Sequence, residues 1–131
     1  MTCRAYERTK AWKASIALVT HVYQLTRDFP PEEKSGLAGS MRKNITALPG
    51  KVAAAYEQSD YVPARTTVDA ADALLRDVLV LAQISQSLKI LHAKQVTLLS
   101  KKIDAVMKAL ESMLDDLFED FEEEPPVELA A

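Results

Sequence analysis

The chain contains 131 residues, of which 48% are hydrophobic, 27% are charged and only three are glycine. This composition excludes a disordered chain, and the length leaves room for one domain of ordinary size. All 16 basic residues and 10 of the 19 acidic residues lie in residues 1–110, whereas residues 111–131 hold nine acidic residues and no basic one. The body of the protein is therefore basic and its C-terminal end is strongly acidic.

The first predicted helix spans residues 6–28. Basic residues crowd its first turns, where the helix dipole disfavours them, so contact with another molecule is one explanation for their position. Pro30 and Pro31 end the helix, because a residue before proline avoids helical geometry. The larger side chains recur at spacings of three and four residues, which predicts one buried face, formed by Trp12, Ile16, Val19, Tyr23 and Thr26.

The second predicted helix spans residues 32–59 and carries an apolar stripe made of Leu37, Met41, Ile45, Leu48, Val52 and Tyr56. Pro49 lies inside this stripe. A proline in a helix interior removes one backbone hydrogen bond and crowds the carbonyl group four residues earlier. We therefore predict a kink or a local break between residues 45 and 50.

Two further helices are predicted over residues 63–88 and 93–118. The inward face of the third consists of Val68, Ala71, Leu75, Val78, Leu81 and Ala82. The fourth has the most regular pattern, with spacings that alternate between three and four, at Val96, Leu99, Ile103, Val106, Leu110, Met113 and Leu117. Short connections predict an all-α, antiparallel up-down-up-down four-helix bundle over residues 1–118. The acidic composition of residues 119–131 predicts a disordered tail.

The sequence contains no recognisable catalytic or metal-binding motif. A di-metal site in a bundle uses Glu-x-x-His turns, but Leu18 and Lys89 stand three residues before His21 and His92. Cys3 is the only cysteine, and there is no glycine-rich phosphate loop. We therefore predict that the protein is not an enzyme and binds neither a metal nor a cofactor, and we interpret His21 as a structural residue.

The sequence also favours the cytoplasm as the expected compartment. It has no apolar run long enough to cross a bilayer. Its charged N-terminus lacks the apolar segment of a signal peptide.

One stretch of the sequence resembles the bacterial four-helix-bundle family named after the intervening sequences of large-subunit ribosomal RNA. The detailed resemblance covers residues 10–55. It consists of unusual features in a fixed order, namely Trp12-Lys13, Val22-Tyr23-Gln24-Leu25-Thr26, Phe29-Pro30-Pro31-Glu32-Glu33, Gly36-Leu37, Met41-Arg42-Lys43, Leu48-Pro49 and Val52-Ala53.

The chain departs from the family pattern in polar positions. Ala47 stands where the family has serine, and Lys51-Val52-Ala53-Ala54-Ala55 replaces an Asn-Ile-Ala-Glu-Gly segment. The family's arginine pair is represented by Arg42-Lys43, which keeps both charges but only one guanidinium group. The buried shape is thus retained while several polar groups are lost.

A second group is also similar, namely the accessory protein of diversity-generating retroelements, which partners a reverse transcriptase. The similarity lies in Ala70-Ala71-Asp72-Ala73-Leu74-Leu75-Arg76 of the third predicted helix. Both resemblances imply five-fold rings of bundles, so we expect a homopentamer. They also imply an association with nucleic acid as the usual suggestion for function.

The first functional hypothesis is a nucleic-acid-associated binding protein that contacts phosphates through basic residues of the first two helices. A solvated helix face without a ligand is the alternative explanation for these residues. The candidate RNA or DNA contacts are Arg4, Arg8, Lys10, Lys13, Arg42, Lys43 and Lys51.

The second hypothesis is a protein-interaction scaffold, such as an accessory subunit of a reverse transcriptase, with the acidic tail as the binding or autoinhibitory element. Leu117, Phe118 and Phe121 would then dock on a basic, apolar groove. A tail that only improves solubility is the alternative. A third possibility joins the two hypotheses: the tail folds back onto the basic body and mimics nucleic acid.

Overall fold

The computed structural model describes residues 3–119. Within that range the chain forms two 3₁₀ turns, at Ala5–Arg8 and Pro31–Glu33, and no strand. The α-helices are α1 (Lys10–Thr26), α2 (Leu37–Thr46), α3 (Leu48–Tyr56), α4 (Tyr61–Ser87) and α5 (Ala93–Leu117). The all-α prediction is confirmed, and its helix bounds are correct to within a few residues except at the start of α2. The predicted disordered tail lies almost wholly outside the described residues.

The helices pack as a bundle around one core. α2 and α3 together form one interrupted rod, and both α1 and α4 pack against this rod and against α5. It follows that α1 and α4 lie diagonally across the bundle, so that their outer faces point in different directions. No helix within residues 3–119 has the length and apolar character that a membrane span requires.

The predicted break in the second helix is confirmed. α2 ends at Thr46 and α3 begins at Leu48, with Pro49 in the first turn of α3. Proline suits that position because the first N–H groups of a helix have no intrahelical partner. The backbone N–H of Ala47 donates to the carbonyl of Asn44 at 3.2 Å, which closes the end of α2.

The apolar stripes predicted for the later helices form the core. Met41, Ile45, Leu48 and Val52 of the interrupted rod are fully buried. In α4 and α5 every predicted inward residue is buried except Leu81 and Leu117, which are half-buried against the core. The regular seam of α5 therefore faces its neighbours as its spacing indicates.

The predicted buried face of α1 is only partly correct: Thr26 is buried, and Trp12 and Val19 are half-buried against the core. Ile16 and Tyr23 are 42% and 40% exposed. The residues that are buried instead are Ala11, Ser15, Leu18, Val22 and Thr26. Small side chains at Ala11 and Ser15 let α1 approach its neighbours closely, and the Ser15 hydroxyl donates to the Trp12 carbonyl at 2.8 Å. The helix is rotated by about one residue from the predicted face, which leaves larger apolar side chains outside.

Candidate nucleic-acid interface

A groove of about 770 Å³ lies between the start of α1 and the second half of α5. Its walls carry three cationic side chains, Arg8, Lys10 and Lys108, and one acidic side chain, Asp116. Its other lining residues include the apolar or aromatic Tyr56, Ala109, Met113 and Leu117. The groove therefore combines positive charge with an apolar floor.

A capping interaction at Thr9 positions the two cationic residues from the start of the chain. The Thr9 hydroxyl donates to the Tyr6 carbonyl at 2.7 Å and accepts from the Trp12 backbone N–H at 3.1 Å. A threonine that satisfies an otherwise unpaired N–H in this way fixes where a helix begins. Arg8 and Lys10 flank Thr9, so the cap holds both of them at the rim of the groove.

The groove is electrostatically suited to an anion. Lys10 occupies the first position of α1, and no acidic residue lies in the first turn of that helix. The helix dipole adds positive potential at this end. Neither Lys10 nor Lys108 makes a salt bridge within residues 3–119. Neither lysine is therefore held in an ion pair by the described part of the protein.

Between α4 and α5, by contrast, a cationic side chain is already paired with acidic ones. Arg65 of α4 forms a two-pronged ion pair with Glu111 of α5, in which one N–H···O distance is 2.9 Å, and it also contacts Asp69 at 3.3 Å. The hydrogen bond from Arg65 lowers the pKa of Glu111. Burial, and then the Glu111 charge, raise the pKa of Asp72, whose Oδ1 has no partner within the described chain. The charge of Arg65 is therefore already paired with carboxylates, and the cluster links α4 to α5.

The seven predicted phosphate contacts do not form one surface. Arg8 and Lys10 meet in the groove, whereas Arg4, Lys13 and Lys43 are exposed and Lys51 is half-buried. Lys108, which completes the cationic set, is absent from the sequence-based prediction. Its position on α5 gives no local signal, because only the packing of α1 against α5 brings it to the groove.

Arg42 is engaged inside the protein. Its Nε donates to the Thr26 hydroxyl at 2.8 Å and its Nη2 donates to the Tyr23 carbonyl at 3.2 Å. The guanidinium carbon also lies 4.5 Å from the centre of the Tyr23 ring. A phosphate that bound Arg42 in the same geometry would compete with these contacts, so Arg42 is placed mainly to hold the end of α1.

The predicted partner-binding residues occupy different places. Leu117 lines the groove. Phe118 packs edge-on against Tyr61 of α4, with ring centres 5.7 Å apart. Phe121 lies outside the described residues. Two consecutive residues at the end of α5 thus face different parts of the bundle.

His21 and Cys3 do not lie in a cluster of described side chains that could form a catalytic or metal site. His21 is half-buried, and burial followed by the charge of Lys102 lowers its pKa. The exposed Cys3 thiol donates to Glu7 at 3.1 Å, and this hydrogen bond is the main reason that its pKa is raised. Within residues 3–119 no three His, Cys, Asp or Glu side chains are grouped to hold a metal ion.

Comparison with known protein families identifies the family of the chain. The model of the family described as 23S rRNA-intervening sequence protein matches residues 7–112. The protein belongs to this family. The match extends through α4 and most of α5, well beyond residues 10–55. No curated protein matches the chain significantly, and the similarity to the accessory protein of diversity-generating retroelements is not shown.

The structure also locates the residues at which this chain departs from the implied family pattern. Val52 and Ala55 are fully buried, and each keeps a small or apolar side chain. Lys51 is half-buried and Ala54 is exposed. The asparagine and glutamate that the resemblance implies at positions 51 and 54 would therefore lie away from the core, which explains why their loss leaves the fold intact.

Proposed function

We propose that this protein is a non-enzymatic, cytoplasmic RNA-binding protein that uses the groove between α1 and α5. The observation that carries the proposal is the convergence of Arg8, Lys10 and Lys108 on one apolar-floored groove. Neither of the two lysines is neutralised by a salt bridge within residues 3–119. The family's name refers to 23S rRNA, which makes RNA the first nucleic acid to test.

The chemistry of the groove fits a flexible single strand. Cationic side chains attract the phosphate backbone without regard to sequence. Tyr56 places one aromatic side chain in the same wall, and aromatic rings are the common platform for unpaired bases. We infer that phosphates occupy the rim formed by Arg8, Lys10 and Lys108, while a base reaches the apolar floor.

Replacing Lys10 and Lys108 together by alanine is expected to weaken the binding of a labelled single-stranded 20-nucleotide RNA by about tenfold at low salt. Loss of two phosphate contacts also lowers the slope of log affinity against log salt by about one to two. Fluorescence anisotropy between 50 and 200 mM salt measures both quantities, and labelled DNA of the same sequence shows whether the site prefers RNA.

The matched control is the pair Lys94→Ala and Lys101→Ala. Both lysines are exposed on α5 and neither lines the groove, so the net charge changes equally. If both double variants bind RNA with the same affinity, the groove is not the site. If the unaltered protein shows no salt-sensitive binding, the proposed function is wrong.

We also infer that the protein assembles as a closed ring, with the pentamer implied by the resemblance as the expected size. Its subunit follows the up-down-up-down course that short connections favour. The outer face of α4 exposes Val80 and Ile84, by 46% and 43%, and Leu88, directly after the helix, is 58% exposed. α1 exposes Ile16 and Tyr23 on a different side of the bundle. A ring requires two different, complementary patches on each subunit, and these faces supply them.

The substitution Ile84→Glu is expected to break this assembly, because it places a charge inside an apolar contact. Mass measurement in solution should fall from a multiple of 14.5 kDa to one subunit. The control Leu98→Glu alters an equally exposed residue of α5, which is 48% exposed, and should leave the mass unchanged. A single-subunit mass for the unaltered protein at micromolar concentration contradicts the ring.

A further inference from the structure

The groove between α1 and α5 opens beside the point at which the acidic end of the chain begins. Leu117, the last residue of α5, is itself part of the groove wall. Residues 119–131 carry six acidic side chains, one phenylalanine and no basic residue. The groove carries three cations against one acid, together with an apolar floor. The acidic side chains of the segment therefore complement the cations of the groove, and its phenylalanine complements the apolar floor.

We propose that the protein's own acidic segment, residues 119–124, docks in this groove. The segment turns back along α5, Phe121 packs on the floor near Met113, and the run Glu122–Glu123–Glu124 faces Lys108, Lys10 and Arg8. The docked carboxylates occupy the positions that the phosphates of RNA would take, so the segment is an autoinhibitory element of the proposed RNA site.

The lengths of the elements agree with this course. A helix rises 1.5 Å per residue, so Lys108 lies about 14 Å back along α5 from Leu117. Phe118 is packed against Tyr61 and Glu119 is helical, so an extended course starts after Glu119. At about 3.3 Å per residue, residues 120–124 would span about 16 Å when extended, which covers this distance. Glu124 is the fifth residue after Glu119. The apolar side chain and the acidic run thus reach the floor and the cations in the required order.

The charge of Asp116 opposes docking, but it is one acidic side chain against three cationic ones in the same groove. Phe118 packs against Tyr61 and does not line the groove, so the segment has to turn toward the groove after Phe118. Two prolines, Pro125 and Pro126, follow the acidic run. They favour an extended backbone, so we place the end of the docked segment before them.

A zero-length carbodiimide reagent tests the docking in the full chain, because it joins a lysine amine to a carboxylate only when the two groups touch. Mass spectrometry should find amide cross-links from Lys108 and Lys10 to Glu122, Glu123 or Glu124. Lys101 is the control, since it is exposed on α5 seven residues before Lys108 and does not line the groove. The Lys108 yield should exceed the Lys101 yield at least fivefold at 50 mM salt, and Phe121→Ala should reduce this excess.

Similar yields at Lys101 and Lys108, or no cross-link from either groove lysine, would overturn the proposal. Mixing isotopically heavy and light protein identifies the donor of the segment. Cross-links within one isotopic species support docking in the same chain, whereas mixed species would show that a neighbouring copy supplies the segment and would contradict it.

The autoinhibitory role rests on the proposed RNA binding, while the docking does not. Replacing Glu122, Glu123 and Glu124 by glutamine in the full chain should raise the affinity for the labelled RNA about fivefold at 50 mM salt. Cross-links without any RNA binding would retain the docking and reject the proposed function. RNA binding that is equal in both proteins, without cross-links, would retain the function and reject the docked segment.

Discussion

Leu18→Ala is expected to lower the free energy of unfolding by about 2–5 kcal/mol, because it leaves a cavity in a packed core. Leu18 is only 2% exposed and lies on the buried face of α1. The fully buried valine one turn later, Val22, packs in the same face. Urea unfolding followed by circular dichroism measures the change, provided that the slope against urea stays constant.

Ile16→Ala is the matched control on the same helix. It removes as many carbon atoms as Leu18→Ala does, but Ile16 is 42% exposed. We therefore expect a loss below about 1 kcal/mol. Both variants are compared in the Ile84→Glu background, because Ile16 also lies in a proposed subunit contact and assembly adds to the apparent stability. If Ile16→Ala costs more than Leu18→Ala, the face predicted from hydrophobic spacing is the buried one and the rotation of α1 is wrong.

Arg42→Met is expected to lower the free energy of unfolding by about 2 kcal/mol, because it removes two charge-assisted hydrogen bonds and a cation–π contact. The last carbonyl groups of a helix have no partner within the helix. Arg42 supplies one for the Tyr23 carbonyl and places a positive charge at the end of α1 that the helix dipole favours. It also donates to the buried Thr26 hydroxyl.

Two variants separate this capping role from charge alone. Lys43→Met removes an equal charge from an exposed neighbour and should change stability by less than about 0.5 kcal/mol. Arg42→Lys keeps the charge but lacks the planar fork that reaches two acceptors, so its stability should lie between those of the other two variants. Equal stability of Arg42→Met and Lys43→Met in thermal or urea unfolding would refute the cap.

The role of Arg42 also explains how the chain departs from the double arginine of the implied family pattern. The first position holds the geometry at the end of α1, where only a guanidinium reaches Thr26 and Tyr23 together. The second position, Lys43, is exposed. Lysine at the second position therefore leaves the contacts of Arg42 with Thr26 and Tyr23 in place. RNA-binding data on Arg42 variants require a parallel measurement of stability for this reason.

Local sequence signals determined the helices and the break in the second rod. Pro49 interrupts the helical hydrogen bonds wherever the rod packs, and the alternating spacing of α5 allows only one continuous apolar seam. Thr9 begins α1 by accepting a backbone N–H. These features depend on residues within one or two turns of each other, which is why the sequence is sufficient for them.

Tertiary packing decided the rotation of α1 and the composition of the groove. α1 carries two candidate faces one residue apart, and close approach to its neighbours favours the face with Ala11 and Ser15 over the face with larger side chains. Lys108 joins Arg8 and Lys10 only because α5 packs beside α1. Hydrophobic spacing measures how apolar a face is, whereas burial also depends on the space between helices, and that space exists only in the assembled fold.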